Sequence, residues 1–572
     1  MKKVITILIA FALMGLSAKA QNYQWITGGG GTDNMSVADW FERVDHICTD
    51  AHGNIYIAAM VGSTNLRVDT FFTNAVDNYP GRPNLILASY TCNNTLRWVK
   101  LIQAHEWAES GGIEYYNGSI YVTGSTVGAN IRIGTDTVLP SSNLSSFTAR
   151  FDTLGNYKWI RYIGLDNNQT AITAGDPGVL AIDGQGYIHN FNAIRKGCEL
   201  SATDSITETG TFDFKYDSTG AFLSHVHVAQ LDSLKTFVKC VYSPVNNKFY
   251  ALIGPNVMFD TSSFLKNRVA AFNTHDSVVW IDSTTVYENS INGIDYKGGN
   301  ALYICANSSC CPDTFSFGGM TVHNTFDSLG SSGVICRLDT NGVTQWIYKL
   351  DGNISIDYFE DLCILPNGNI TATGFFGGIA KHNSDILYDT INASLEPWLV
   401  IVNPSGNTVF LDEFHGDGFY KEGRIMTCDA IGNIFVGGYM VDTMYATGIP
   451  AYHSNGGNTD FFVLKYGYDC SSLTSTNDIP LNNNTLAIYP NPTTNIINIS
   501  LPNTNQKAII NLYNMMGQLI IDNEKLTIDS NKASTMSIVN YQLSIEKLSQ
   551  GIYFLEVITD GERMVRKVVK MD

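Results

Sequence analysis

ICTDAHGNIYIAA, residues 47–59, reads as a short apolar strand, a polar turn and a second strand rich in β-branched and aromatic side chains. That pattern predicts a β-hairpin. It returns as IEYYNGSIYVTG (113–124), LAIDGQGYIHNF (180–191), CVYSPVNNKFYALIG (240–254), IDYKGGNALYICA (294–306), LCILPNGNITATG (362–374) and MTCDAIGNIFVGG (426–438). Gly53, Gly118, Gly186, Gly299, Gly368 and Gly432 mark the turns, and Asn247 takes that place in the fourth copy. A second phrase alternates with the first. It reads ILASYTCNNTLRWV (86–99), FTARFDTLGNYKWI (147–160), FDFKYDSTGAFLS (212–224), VAAFNTHDSVVWI (269–281), VICRLDTNGVTQWI (334–347) and WLVIVNPSGNTVFL (398–411). One copy of each phrase makes four antiparallel strands, the unit of a propeller blade.

Seven copies of the first phrase predict seven blades. The last copy of the second phrase begins as FFVLKYGY (461–468) and lacks its partner strand. The missing strand is at the other end of the chain, where YQWITGG (23–29) matches YKWIRYIG (157–164) and TQWIYKL (344–350). The N-terminal strand is therefore expected to complete the seventh blade, which removes the open sheet edge an unfinished array would expose. These phrases resemble the seven-bladed propeller repeats of exported bacterial proteins over residues 22–468. The resemblance implies an architecture and leaves the activity open, because propellers host enzymes, lectins and scaffolds alike.

The composition agrees with a folded chain: 44% of the 572 residues are hydrophobic and 15% charged. The formal charge of −18 argues against binding nucleic acid through its phosphates. Residues 1–20 read as a signal peptide: Lys2 and Lys3, the apolar run VITILIAFALMGL, then Ala18-Lys19-Ala20 before the cleavage point. No later stretch is long and apolar enough to suggest a transmembrane segment. Residues 21–468 form the propeller region, and 469–485, rich in Ser, Thr, Asn and Asp, read as a linker.

Residues 486–572 return to alternating strands and predict a small antiparallel β-sandwich. They open on Tyr489-Pro490-Asn491-Pro492, continue through NLYNMMGQLI with Gly517 and LSQGIYFLEV with Gly551, and end on a basic strand reaching Lys570. In that order the motifs resemble the C-terminal sorting domain of the type IX secretion system of Bacteroidetes-type bacteria. The resemblance implies passage through the periplasm, engagement of the type IX machinery, and release or surface attachment.

Eleven cysteines include no C-x-x-C pair and no zinc-spaced Cys/His set. Cys48, Cys240, Cys305, Cys336, Cys363 and Cys428 lie in strand-like segments and read as small buried hydrophobes; one of Cys310 and Cys311 is placed to pair with a distant partner. No metal site, cofactor motif or catalytic constellation is present, and DAHGN, DGQGY and DTNGV lack calcium-loop spacing and read as turns. An aromatic–x–glutamate element precedes several blades: Trp40–Glu42, Trp107–Glu109, Tyr358–Glu360 and Tyr420–Glu422, with a shortened Tyr287-Glu288. Equivalent positions in successive blades lie on one ring, so these are the candidate ligand-binding residues for a glycan or protein. The bland alternative is inter-blade packing, with each carboxylate satisfying neighbouring N–H groups. His105 with Glu106 and His415 with Asp417 are further polar loop candidates. The sequence thus favours an exported binding or structural module, with a secreted glycan-acting enzyme as the alternative.

Overall fold

A computed structural model describes residues 21–571. Excepted are 33–41, 63–64, 74–82, 105–106, 129–130, 134–135, 140–143, 164–176, 195, 197–198, 202–203, 229–234, 256–267, 285–289, 297–299, 309–313, 326–329, 354–357, 389–394, 419, 457–458, 471–486, 490–492, 503–507, 515–518, 527–537 and 560–561. The expected signal peptide, residues 471–485 of the expected linker, Cys310, Cys311, and the pairs His105–Glu106 and Tyr287–Glu288 lie outside the described residues. The chain divides into two compact units, Met1–Ser472 and Leu473–Asp572.

The first unit is a seven-bladed β-propeller. Each blade is a four-stranded antiparallel meander, as in Trp107–Tyr116, Ser119–Val127, Leu144–Asp152 and Tyr157–Ile163 of blade 2. The first strands contact one another in a closed cycle: Arg43–Thr49, Trp107–Tyr116, Val179–Ile182, Lys235–Ser243, Ser290–Tyr296, Tyr358–Ile364, Glu422–Cys428 and back to Arg43–Thr49. Apolar side chains such as Val436, Phe462 and Leu399 fill the spaces between blades.

Blade 7 is built from both ends of the unit. Its first three strands are Glu422–Cys428, Ile434–Met440 and Asp460–Gly467, and its fourth is Asn22–Gly30. The closing strand runs antiparallel to Asp460–Gly467 from Asn22 opposite Gly467 to Gly29 opposite Phe461. Its glycines are a steric requirement: a Cβ on Gly28 would lie 2.1 Å from the Phe461 carbonyl oxygen. Two disulfides fasten this composite blade to both neighbours. Cys363–Cys428 joins the first strands of blades 6 and 7, and Cys92–Cys470 joins the outer turn of blade 1 to the residues after the last strand of blade 7. The reading of Cys363 and Cys428 as unbonded hydrophobes is corrected: they occupy neighbouring strands in the cycle, with Cα atoms 6.1 Å apart. Cys48, Cys240, Cys305 and Cys336 are free.

Turns and junctions follow one rule each. In eight turns an Asp or Asn (Asp50, Asp152, Asp183, Asp217, Asn273, Asp339, Asn403, Asp429) uses Oδ1 to accept the N–H groups two and four residues on. These carboxylates and amides close turns. Five tryptophans on fourth strands then clasp the next blade. Indole Nε1 of Trp98, Trp159, Trp280, Trp346 and Trp25 donates to the carbonyls of Thr153, Ser218, Thr340, Pro404 and Cys92, at 2.9–3.2 Å. The rings of Trp98 and Trp159 lie over the turn glycines Gly155 and Gly220, where a Cβ would come within 2.6 Å of the indole.

The junction of blades 3 and 4 departs from this rule. Ser224 stands where five other blades carry tryptophan and blade 6 carries Phe410, and Asp276 (φ +58°) replaces the turn glycine. A buried charge network occupies the gap. His189 lies 2.6 Å from Asp213 through Nδ1 and 3.4 Å from Asp183 through Nε2, with Lys215 Nζ 3.6 Å from Asp183. Asp213 Oδ1 and Asp276 Oδ1 are both buried and have no protein donor among the described residues; one proton held between the two carboxyls satisfies both. Burial, then the Asp213 charge, raises Asp276 to about 7. His189 is raised to about 9, burial being outweighed by the two aspartates.

The second unit is a β-sandwich. Ala487–Tyr489, Ile496–Pro502 and Ile538–Ser544 form one sheet; Leu519–Leu526, Ala508–Asn514, Gly551–Thr559 and Glu562–Lys570 form the other. Ile497, Ile499, Leu512, Leu543, Leu555 and Val568 fill its core.

Two predictions follow from these constraints. Gly28→Val drives a side chain into the Phe461 carbonyl, so limited proteolysis should cut the chain before Gly28 in the variant and leave the wild type intact there; equal resistance would contradict the steric account. At the blade 3–4 junction both raised groups bind protons more tightly folded than unfolded. Stability therefore falls as pH rises, through the Asp276 window from about 4 to about 7 and the His189 window from about 6.5 to about 9. Asp276→Asn should remove a loss on the order of a few kcal/mol between pH 5 and 7.5, read as a flatter dependence of the unfolding temperature on pH.

Candidate functional site: the central channel

The cycle of first strands encloses a cavity of about 420 Å³, lined by residues from all seven. Six of these strands carry a β-bulge at the same register position, between Val44 and His46, Ser110 and Gly112, Phe237 and Lys239, Ile291 and Gly293, Phe359 and Asp361, and Gly423 and Ile425. A bulge inserts one unpaired residue and re-aims its side chain. The inserted residues are Asp45, Gly111, Val238, Asn292, Glu360 and Arg424, and all six line the cavity. Blade 3 enters its first strand directly after Gly178 and has no bulge.

The lining is charged and mostly acidic. Asp45, Glu114, Asp295, Glu360 and Asp361 supply carboxyls, against Lys239 and Arg424. Lys239 Nζ lies 2.5 Å from Asp361 Oδ1, and Asp361 Oδ2 accepts the Met426 N–H at 3.0 Å. Asp295 accepts the N–H groups of Tyr296 and Ile364, at 2.7 and 2.9 Å. Arg43 Nε meets Asp45 at 2.7 Å, and Arg424 meets Glu422 at 3.0 Å. Glu114 and Glu360 form no hydrogen bond to another described residue. Burial pushes Glu114 up to about 8, with Lys239 opposing, and Glu360 up to about 7, with Arg424 opposing and Glu422 and Asp361 adding. Burial lowers His46. Among the described residues no group of three or more His, Cys, Asp or Glu is arranged to hold a metal ion.

The aromatic–glutamate residues do not share one register position. Glu360 is itself a bulge residue, Glu109 and Glu422 lie two residues before Gly111 and Arg424, and Glu42 lies three before Asp45. Glu42 is buried and accepts the N–H groups of Gly31 and Gly62, each at 2.9 Å, which ties the end of the closing strand to blade 1. Glu109 accepts the Ser125 hydroxyl at 2.9 Å. Trp107 opens its strand opposite Val127, Tyr358 packs 5.2 Å from Phe375, and Tyr420 is exposed. Trp40 lies outside the described residues. His415 pairs with Glu413 at 3.3 Å, and Asp417 accepts the Tyr445 hydroxyl at 2.7 Å. Asp45, Glu114, Lys239, Asp295, Asp361 and Arg424 were not singled out by sequence. A signal for two of these exists: Asp45 and Arg424, like Glu360, each stand eight residues before their turn glycine.

In the second unit Tyr489 ends its strand opposite Asn498, and Gly551 pairs with Lys570, whose buried side chain donates to the Met571 carbonyl at 2.9 Å. Pro490, Asn491, Pro492 and Gly517 lie outside the described residues.

The chain is thus a seven-bladed propeller followed by a small β-sandwich. Residues 487–571 match the family described as the secretion system C-terminal sorting domain. The protein accordingly carries a type IX sorting domain, engages that machinery, and is secreted or displayed at the cell surface. Among the described residues no helix is long and apolar enough to cross a membrane. No curated protein matches the chain. Similar solved structures include a protein of unknown function from Dyadobacter fermentans, at 11% identity and TM-score 0.36, covering 77% of this chain and 98% of that one. Drosophila Semaphorin 2a is similar at 8% identity and TM-score 0.33, covering 95% and 98%. The GH43 protein BlXynB of Bacillus licheniformis is similar at 8% and 0.27, covering 97% and 91%.

Proposed function

We propose that the exported propeller, residues 21–468, is a binding module whose ligand enters the central channel, and that residues 486–572 serve delivery. One observation carries this reading. Positions that hold the propeller together repeat their residue type: Asp or Asn in eight turns, tryptophan at five junctions. The bulge position repeats only its backbone, while its side chains are Asp, Gly, Val, Asn, Glu and Arg. A ring kept in geometry and varied in chemistry suits recognition of an asymmetric ligand. Of the aromatic–glutamate set, Glu360 belongs to this site and Glu422 borders it through Arg424. The acidic lining favours a ligand that brings positive or neutral polar groups, such as an amino sugar or a basic peptide segment.

A second reading rests on Glu114 and Glu360. A carboxyl that holds its proton near neutral pH is what general-acid catalysis on a glycan requires, with a second carboxylate ionised beside it; Glu114, raised to about 8, fits the acid and Glu360, raised to about 7, ionises first. A screen of the full-length protein against glycans and peptides separates the two. The binding module should show no turnover, and above pH 8, where both carboxyls are ionised, Glu114→Gln and Glu360→Gln should each weaken binding about 10-fold, the scale of one lost charged contact. Its affinity for a cationic ligand should rise with pH through 7–8 as the two carboxyls ionise. Turnover abolished by either single change would establish the enzyme instead.

A further inference from the structure

Lys465 is fully buried beside the ring-closing disulfide. Its Nζ lies 2.8 Å from Cys470 Sγ and 3.1 Å from Cys92 Sγ, donates to the Tyr468 carbonyl at 2.8 Å, and reaches the Cys92 carbonyl at 3.5 Å. No carboxylate among the described residues forms a salt bridge with it, although the charges of Asp429 and Asp469 act on it from farther away. Burying an ammonium without a direct ion pair is costly, and burial lowers Lys465 to about 8 against the opposing pull of those two aspartates. The register position opposite the clasping tryptophan holds Ser89 and Ala271 in blades 1 and 4, and a cation in three blades, as Lys465, Arg150 in blade 2 and Arg337 in blade 5. Their guanidinium groups reach the next turn's carbonyl, Ser218 O at 2.6 Å and Pro404 O at 3.2 Å. Only at the closing junction does that carbonyl belong to a cysteine.

We propose that Lys465 activates Cys92 and Cys470 for the oxidation that locks the ring. In the reduced protein the ammonium faces two thiols at contact distance, with Asp429 and Asp469 acting on it only from farther away, so a thiolate is the anion it can stabilise directly. A cation in contact with a thiol lowers its pKa, and the thiolate is the attacking species. The Cys470 thiolate attacks one sulfur of an exogenous disulfide, forming a mixed disulfide and expelling one thiolate. Cys92 then attacks Cys470 Sγ and expels the second. Two cysteine thiols and one external disulfide give the Cys92–Cys470 bond and two external thiols; two electrons pass outward, and the cysteine protons pass to solvent or to the expelled thiolates. Lys465 is a positioning and activating residue and is itself unchanged.

The test uses the full-length protein, reduced and then reoxidised with oxidised glutathione, with each bond followed by peptide mass. In the wild type Cys92–Cys470 should form at a rate that holds down to pH 7. Lys465→Met should slow it about 10-fold at pH 7 and recover it by pH 9, while Lys465→Arg keeps it; Cys363–Cys428, to which Lys465 makes no hydrogen bond, should keep its rate. Unchanged closure in Lys465→Met across that range, or equal slowing of both bonds, would overturn the proposal. Should Lys465→Met not fold, alkylation of Cys470 in a Cys92→Ser variant decides. A midpoint below the ordinary thiol value of about 8.5 supports the proposal, and one at or above it refutes it.

Discussion

The pairing of Asn22–Gly30 with Asp460–Gly467 is the constraint on which the rest of the propeller depends. Without it, blade 7 has three strands and an open edge, and Trp25 cannot reach Cys92 of blade 1. The three successive glycines that end the closing strand remove side chains where the Phe461 and Arg67 carbonyls come close. Glu42 then binds the strand's exit through the Gly31 N–H. Both described disulfides also converge on this blade. Most of the contacts that hold a blade to its neighbour are local, but here the loop to be closed spans most of the propeller. Cys92–Cys470, whose ends are 378 residues apart in sequence, restricts that loop and gives the larger entropic gain in the chain-entropy account; Cys363–Cys428 spans 65.

Around that closure the molecule uses internal repetition as its own comparison set. Asx turns and tryptophan clasps recur with the same side chains because each solves the same backbone problem. At the one junction where both tryptophan and turn glycine are replaced, a histidine and three aspartates take over, and the contact becomes sensitive to pH. The bulges show the opposite behaviour, with constant geometry and changing chemistry. That contrast separates the residues that make the ring from those that face its channel.

The seven blades, the strand that closes them and the small C-terminal sandwich were legible in the sequence, because hairpin periodicity and turn residues repeat strongly. Asn247 is in the left-handed region its glycine counterparts adopt, at φ 54°, as its place in the repeat implied. The channel was less legible. A bulge shifts register by one residue without altering composition, so Glu360 fell within a recognisable motif while Asp45 and Arg424 did not. The aromatic–glutamate elements look alike in sequence, yet their offsets from the bulge differ, and Glu42 serves the closing strand. Cys363–Cys428 escaped for a related reason: each cysteine sits in an ordinary apolar strand, and only the circular order of blades makes those strands neighbours.

Backbone hydrogen exchange across blade 7 tests the closure most directly. If the ring is closed as described, amides of Asn22–Gly30 that face Asp460–Gly467 exchange as slowly as those of Ile434–Met440, through global unfolding alone. Exchange of the N-terminal strand orders of magnitude faster than its neighbours, with Asp460–Gly467 unprotected on that side, would contradict it.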